Sequence, residues 1–165
     1  QWPRWFAGSG FQTIAGEGLK VFRTASGLPF STLICWENLF PSISRENARA
    51  GAKLLVNLIN DGWFGKTAAS LQHNSASVMR AVENRLPVIV ASNCGPSQII
   101  DKNGRIVAAG PEFSPGTITA DVKEGHGRTL YTSLGDWFAW CCGVFSLCVF
   151  LQMIFVTYLK KVSRK

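Results

Sequence analysis

A cysteine that follows an apolar run is the residue of this sequence best suited to nucleophilic chemistry. Cys35 comes directly after the run Ser31–Ile34 and is followed by Trp36, Glu37 and Asn38. A thiolate at the end of a strand can attack a carbonyl carbon, while nearby backbone N–H groups stabilise the oxyanion. The alternative is a buried cysteine without chemistry, which is the commoner role of free cysteine and is favoured by this residue taken alone.

A second group of polar residues follows the next apolar run. Asn57 lies near the end of Leu54–Ile59, Asn60 and Asp61 follow that run, and the aromatic pair Trp63 and Phe64 comes shortly afterwards. Polar groups at a strand end beside apolar aromatic residues are typical of a pocket rim. The run Asn-Asp-Gly is equally typical of an ordinary turn, so both interpretations stay open.

The remaining candidate groups are weaker. His73 and His126 are the only histidines, and no spacing selects His73 as a base for Cys35, so a structural role is the preferred interpretation. A polar patch on the same helix is expected to form a solvated or ion-paired face, and comprises Arg80, Glu83, Asn84 and Arg85. The five cysteines show no metal-ligand spacing, so we expect neither a disulfide framework, nor a metal site, nor a cofactor.

Alternating strand and helix patterns surround these residues. Strands are predicted at 19–23, 31–34, 54–59, 88–91 and 117–122, and helices at 41–50 and 67–86. The dipeptide Asn103-Gly104 predicts a hairpin between the strands 97–101 and 105–109. Apolar residues on the second helix recur at helical spacing and comprise Leu71, Val78, Met79, Val82 and Leu86. The order of elements predicts a mixed α/β fold with helices packed on a mostly buried sheet.

A long apolar segment follows this body. Residues 137–159 contain no charged side chain, and a helix of that length would span the roughly 30 Å hydrocarbon core of a bilayer. Aromatic residues at both ends (Trp137, Trp140 and Tyr158) suit the membrane interfaces. The alternative, a buried core helix, is disfavoured because such helices rarely lack a polar face. We therefore expect three parts: a body at 1–136, a transmembrane helix at 137–159 and a basic tail at 160–165.

Charge and composition exclude several classes of protein. The formal net charge is +7, but part of that surplus lies in the tail (Lys160, Lys161, Arg164 and Lys165), so no nucleic-acid partner is expected. The apolar fraction of 47% excludes intrinsic disorder as the main state. The basic tail predicts a cytoplasmic C-terminus and a body on the opposite side of the membrane. Because the chain begins with Gln1, we expect it to be processed or to be a piece of a longer protein.

Two stretches of sequence resemble the nucleophile-bearing half of a nitrilase-type carbon–nitrogen hydrolase domain. They are STLICWENLFPSISRENARAGAKLLVNLINDGWFG and QHNSASVMRAVENRLPVIVASNCGPSQIIDKNGRIV. A later run, GRTLYTSLGDW, leads directly into the apolar segment and resembles the end of the bacterial apolipoprotein N-acyltransferase family. The motifs are specific as a set, and the resemblance covers essentially the whole chain.

The resemblance implies an α/β/β/α sandwich fold, here partial, followed by one transmembrane helix. It implies a multi-pass protein of the bacterial inner membrane, with the nitrilase-like domain in the periplasm. The implied activity takes an acyl chain from a phospholipid as a cysteine thioester and passes it to the α-amino group of an apolipoprotein's diacylglyceryl-cysteine. The implied partners are therefore a phospholipid donor, an apolipoprotein acceptor and the membrane.

By resemblance, Cys35 is the nucleophile, Trp36 and Glu37 belong to the supporting oxyanion region, and Trp63 and Phe64 line an acyl pocket. The family's catalytic Glu and Lys precede the cysteine motif. Glu17 and Lys20 are the only candidates by residue type, and their context does not support those roles. We therefore expect a C-terminal fragment that is inactive by itself, because a thiol needs a base or a nearby cation to react well at neutral pH.

Two alternatives to the acyltransferase remain. One is a membrane-anchored, nitrilase-like amidase that acts on small soluble amides. The other is a non-catalytic remnant, which the absent Glu and Lys would favour. Transfer of an acyl group to a lipopeptide amine would distinguish the acyltransferase from the amidase.

Overall fold

The computed structural model describes residues 18–162, and within the last helix the side chains through residue 156. Its described part contains one six-stranded sheet with the strand order β1-β2-β3-β4-β5-β6. The strands are β1 (Val21–Arg23), β2 (Pro29–Ile34), β3 (Leu54–Ile59), β4 (Val88–Ser92), β5 (Gln98–Ile100) and β6 (Ile106–Ala109). Strands β2, β3 and β4 are parallel, and the outer strands pair antiparallel. The carboxyl ends of the three central strands therefore share one edge of the sheet.

Helices connect the parallel strands. They are α1 (Pro41–Arg49) and α2 (Ala69–Asn84), followed after the sheet by α3 (Leu130–Leu134) and α4 (Trp137–Val162). A 3-10 turn at Cys35–Leu39, which we call the Cys35 turn, joins β2 to α1, and a second 3-10 turn at Gly62–Phe64 follows β3. Pro41 begins α1 at a position where its missing N–H costs no hydrogen bond.

The core lies between the sheet and the first two helices. Leu33, Leu55 and Val90 point to this side and are almost completely buried, together with Ala48 of α1 and Ala81 of α2. The opposite side, which we call the outer face, carries Phe30, Ile34, Val56, Leu58, Ile89 and Ala91, and each of these is at least partly exposed. The described residues thus form one sheet with α1 and α2 on one side of it. This is the mixed α/β architecture with helices packed on a sheet that the sequence predicted.

Helix α2 buries a mainly polar face, although two of the apolar residues noted in the sequence are inside: Leu86 is fully buried and Val78 packs against the core. Leu71 and Met79 are more than half exposed, whereas the side turned toward the sheet is largely polar and consists of Ser70, His73, Asn74, Ser77, Arg80, Ala81 and Asn84. Of the expected solvated or ion-paired face, Arg80 is ion-paired with Glu83, whereas Asn84 is fully buried and the prediction was wrong for it. The physical reason is that these polar groups find partners inside the protein: Arg80 binds Glu83, and Asn84 accepts from Thr132.

The predicted strand at 117–122 was also wrong, because this part of the described chain has no regular structure. The segment instead returns from β6 toward the start of β3, where Gly125 N–H donates to the Lys53 carbonyl at 3.0 Å. The other predicted strands and both helices are confirmed, with ends shifted by up to two residues.

The apolar segment forms one continuous helix, α4. Within it, Trp137–Val156 is long and apolar enough to cross a membrane, and none of that window is buried against the rest of the described chain. Within the described residues, α4 is therefore not packed into the core, and its assignment as a transmembrane helix stays a prediction. Tyr158, Lys160 and Lys161 lie beyond the described side chains, and Arg164 and Lys165 lie outside the described residues altogether.

Candidate active site

The Cys35 turn places the candidate nucleophile at the carboxyl end of β2. Cys35 has φ of +52°, in the left-handed region that non-glycine residues rarely adopt. Its side chain is half-buried and packs partly against the core cluster. An abrupt change of backbone direction at a strand end carries the thiol to the edge of the sheet. Such strain persists only where surrounding contacts hold it, and it is common at functional sites.

Glu37 contributes to the turn through the backbone. Its Oε2 accepts a hydrogen bond from the N–H of Ile34 at 2.8 Å, closing the turn onto the last residue of β2. The carboxylate therefore holds the backbone on the N-terminal side of Cys35. This contact agrees with a supporting role for Glu37.

An aromatic group lies above the turn. The Trp36 ring is 5.5 Å from the His73 ring and 6.1 Å from the Phe64 ring, measured between centroids. Phe64 meets His73 edge-on at 6.4 Å. The structure thus brings Trp36 and Phe64 together beside the turn that carries Cys35, whereas Trp63 is 86% exposed.

A chain of hydrogen bonds lies beneath the Cys35 turn. Asp61 Oδ1 is 2.9 Å from His73 Nδ1, and His73 Nε2 is 2.9 Å from Asn38 Oδ1. The amide nitrogen of Asn38 donates to the His73 carbonyl at 3.1 Å and to Ser77 Oγ at 3.0 Å. These contacts join the turn, α2 and the loop after β3.

Asparagines tie the loops at the ends of β3 and β4 to each other. Asn93 Oδ1 accepts from the Asp61 N–H at 3.1 Å, and Asn93 Nδ2 donates to Asn60 Oδ1 at 2.6 Å. A cavity of about 370 Å³ opens next to this pair and is lined by Asn93, Cys94 and Phe113 among others. Cys35 is not among its lining residues, so this cavity neighbours the candidate nucleophile and does not contain it. The interpretation of Asn60 and Asp61 as ordinary turn residues therefore understated their contacts.

The described residues supply no base for Cys35. No hydrogen bond reaches Cys35 Sγ from any residue in the described range. Glu17 lies outside that range, and Lys20 is exposed ahead of β1. His73, the histidine whose ring lies beside Trp36 of the turn, has both ring nitrogens engaged by other residues.

Asn38 is the residue whose contacts the sequence analysis missed, together with the hydrogen bonds that join it to His73, for which a structural role was expected. Asn38 received no role there, although it is three positions after Cys35 and fully buried. The available signal was the polar stripe along α2, where Ser70, His73, Asn74 and Ser77 recur at helical spacing.

The carbon-nitrogen hydrolase family model matches residues 3–130 of the chain. This chain belongs to the carbon-nitrogen hydrolase family. The match spans β1 to β6 and both loops of the candidate site, and it ends at the first residue of α3.

Within this family, the chain is similar in sequence to curated proteins named apolipoprotein N-acyltransferase. The chain is 46% identical over 127 residues to the apolipoprotein N-acyltransferase of Geobacter metallireducens, covering 77% of this chain and 24% of that protein. It is 32% identical over 148 residues to the apolipoprotein N-acyltransferase of Haemophilus influenzae, covering 90% of this chain and 28% of that protein. The chain spans about a quarter of the length of these relatives, in agreement with the expectation of a partial protein.

Solved structures share the fold. A carbon-nitrogen hydrolase from Helicobacter pylori matches with a TM-score of 0.52 at 20% identity, over 61% of this chain and 42% of that one. A variant of an amidase from Nesterenkonia sp. AN1, with an acetamide group added at its active-site cysteine, matches with a TM-score of 0.50 at 23% identity, over 62% of this chain and 41% of that one. Both matches confirm the predicted nitrilase-like fold.

Proposed function

We propose that Cys35 is the nucleophile of an N-acyl transfer in bacterial lipoprotein maturation. The transferred group is an acyl chain of a membrane phospholipid, and the acceptor is the α-amino group of the diacylglyceryl-cysteine that begins an apolipoprotein. One observation carries this proposal. Relatives named apolipoprotein N-acyltransferase match 77% and 90% of the chain.

The chemistry takes two steps at one sulfur atom. First, the Cys35 thiolate attacks the ester carbonyl of the phospholipid; a C–S bond forms, the C–O bond breaks, and the lysophospholipid leaves as an alcohol with the proton that the thiol gave up. Second, the acceptor amine attacks the thioester; a C–N bond forms, the C–S bond breaks, and a proton from the amine returns to the sulfur. The family resemblance implies a Glu base and a Lys oxyanion partner, which longer forms of the protein would have to supply.

The surroundings of Cys35 suit a lipid substrate. Trp36 and Phe64 form an apolar wall beside the turn, and Trp63 stands on the same loop as Phe64, open to a chain that approaches from outside. Burial of an acyl chain contributes roughly 0.8 kcal/mol per CH₂ group. We therefore propose that these three aromatic side chains line the acyl site, with Glu37 holding the turn.

Helix α4 would keep this site at the membrane, where both lipid substrates reside. Confinement to one surface lowers the entropy cost of bringing the reactants together. The proposed arrangement is a body at 1–136 in the periplasm, a transmembrane helix at 137–159 and a cytoplasmic tail at 160–165 in the bacterial inner membrane. The charges of Lys160, Lys161, Arg164 and Lys165 support this orientation.

A membrane-anchored amidase is the second candidate, since the fold is shared with amidases. The exposed, apolar helix α4 favours the acyltransferase, because a soluble amide needs no membrane surface. A non-catalytic remnant is the third candidate and predicts no covalent adduct on Cys35.

The test uses the longer polypeptide that contains this chain, reconstituted in vesicles with a fluorescent phospholipid. We expect an acyl adduct on Cys35 in peptide mass spectra, and its transfer to a diacylglyceryl lipopeptide amine when that acceptor is added. Cys35→Ala should abolish both signals. Cys94→Ala, which removes the other half-buried cysteine of the body, should leave them unchanged. Hydrolysis of a soluble amide without lipopeptide acylation would establish the amidase instead, and an unlabelled Cys35 would refute both enzymes.

A further inference from the structure

We propose that Asp61, His73 and Asn38 act as positioning residues that hold the Cys35 turn in place and, with it, the left-handed backbone conformation of Cys35. The three residues come from the loop after β3, from α2 and from the turn itself. Asp61 and Asn38 are 0% exposed and His73 is 5% exposed. This inference rests on the proposed role of Cys35 as nucleophile and adds three residues that act through the turn.

The donor and acceptor roles in the hydrogen bonds that join Asp61, His73 and Asn38 follow from the orientation of the Asn38 amide. Its nitrogen contacts the His73 carbonyl, which can only accept, so the amide oxygen is the atom that faces His73 Nε2. An amide oxygen is also only an acceptor, and Nε2 must therefore carry a proton. On the other side of the ring, Nδ1 and Asp61 Oδ1 lie 2.9 Å apart, and one proton must lie between them to avoid facing lone pairs. The ring is thus held in one orientation and joined to a partner at both nitrogens.

These contacts explain how the strained backbone at Cys35 is held in place. The Asn38 side chain makes three hydrogen bonds into α2, two of them to His73. Glu37 holds the other side of the turn through the Ile34 N–H. Because Cys35 lies between these two attachment points, its φ of +52° is determined by both. The Trp36 ring also rests beside the imidazole, so the same histidine locates the aromatic wall.

A requirement for stability alone does not account for the arrangement. Buried ionisable pairs are often replaced by apolar residues without loss of stability. The second carboxylate oxygen of Asp61 is buried without a hydrogen-bond partner in the described residues, which is unfavourable for a purely structural group. What the arrangement provides is a fixed ring orientation directly beneath the turn.

The key test compares substitutions at Asp61. In Asp61→Asn, the amide can donate to Nδ1 while Nε2 keeps its proton for Asn38, so the chain of hydrogen bonds survives. In Asp61→Ala, Nδ1 loses its partner and the ring is free to change tautomer and tilt. His73→Leu removes the donor to Asn38 and leaves a buried amide oxygen unpaired. The matched control is Asn74→Ala, which removes one buried hydrogen bond on the same face of α2, to the Pro96 carbonyl at 2.7 Å.

The first measurement is hydrogen exchange of the amides at 35–39 in the 165-residue chain, held in detergent micelles. Loss of a buried hydrogen bond should speed exchange by about tenfold or more in His73→Leu. We expect a smaller acceleration in Asp61→Ala, and a rate within about threefold of the unsubstituted chain in Asp61→Asn and Asn74→Ala. Long-range ¹H–¹⁵N spectra should show a protonated Nε2 of His73 in the unsubstituted chain and in Asp61→Asn.

The second measurement is acyl transfer by the longer polypeptide. A misplaced thiol should lower kcat for His73→Leu by about tenfold or more, with little change in KM for the phospholipid. Asp61→Asn should restore most of the kcat that Asp61→Ala loses.

The outcomes separate this inference from the proposed function. If Cys35→Ala abolishes transfer but Asp61→Asn is as damaging as Asp61→Ala, the positioning role is wrong while the proposed function stands. If no transfer occurs at all, the proposed function fails. The inference is then decided independently by hydrogen exchange at 35–39 and by the NMR signal of the His73 Nε2 proton. Should circular dichroism show that His73→Leu does not fold, the comparison of Asp61→Asn with Asp61→Ala tests the positioning role instead. Unchanged exchange at 35–39 in a folded His73→Leu chain would refute the proposal.

Discussion

Arg45 of α1 holds α3, the short helix that precedes α4, and its removal should loosen α3 strongly. Its guanidinium donates to three successive carbonyls at the end of α3: to Tyr131 at 3.1 Å, Thr132 at 3.0 Å and Ser133 at 2.9 Å. Arg45→Met keeps the aliphatic stem and removes all three bonds. A hydrogen bond from a charged group contributes about 1.5–3 kcal/mol. Because one half-exposed group makes all three bonds, we discount their sum to a net loss of about 2 kcal/mol.

That loss corresponds to about 30-fold faster hydrogen exchange of the amides at 131–135, at a tenfold change per 1.4 kcal/mol. Arg45→Lys keeps the charge but not the planar geometry, so its exchange rate at 131–135 should lie between those of the unsubstituted chain and Arg45→Met. Arg49→Met removes an exposed arginine of the same helix and should leave α3 unchanged. Exchange accelerated by less than threefold in Arg45→Met, or equally fast in Arg49→Met, would show that the guanidinium does not hold α3.

Three further substitutions test the fold. Leu33→Ala empties a site that is 0% exposed and should lower the free energy of unfolding by about 2–5 kcal/mol in urea; the exposed Leu71→Ala should change it by less than about 0.5 kcal/mol. Burial, opposed by the Arg80 charge, raises the pKa of Glu83 above its ordinary value of 4.5. The folded state therefore binds the Glu83 proton more tightly than the unfolded state does, and the free energy of unfolding falls as the pH rises from 4.5 through the raised pKa. Glu83→Gln should flatten this slope in urea titrations between pH 4 and 7, and an unchanged slope would contradict the assignment. Gly125→Ala would drive a methyl group into Leu86 and the Arg85 carbonyl and should lower the unfolding midpoint, while Gly143→Ala, which meets open space, should not.

The sequence predicted those elements whose signals are local. The apolar run at β3, the Asn103-Gly104 hairpin and the charge-free stretch of α4 each contain their own pattern, and the structure places all of them within three residues. The segment 117–122 shows why a strand pattern is insufficient, since a strand also needs a neighbouring edge to pair with. Helix α3 is short and is held by α2 and Arg45, so nothing within it predicted a helix.

The candidate site was predictable only in part for a related reason. Cys35 was found because an apolar run stops at it, and Asp61 because it follows a strand. The joining residues, His73 and Asn38, are distant in sequence and meet only after α2 has packed on the sheet. Burial of a polar helix face contradicts the usual rule that apolar residues point inward, and that inversion is visible only once the partners are known.

Substitutions on the outer face of the sheet can show whether another layer of protein covers it. Ile34 and Leu58 are about half exposed there, so lysine at either position should hardly disturb the described residues by themselves. Sheets that stack face to face lie about 10 Å apart and interdigitate their side chains, so a covering layer in a longer polypeptide would reject the same lysines. Sites that are silent in the short chain and harmful in the long one would therefore trace the footprint of whatever rests on this surface.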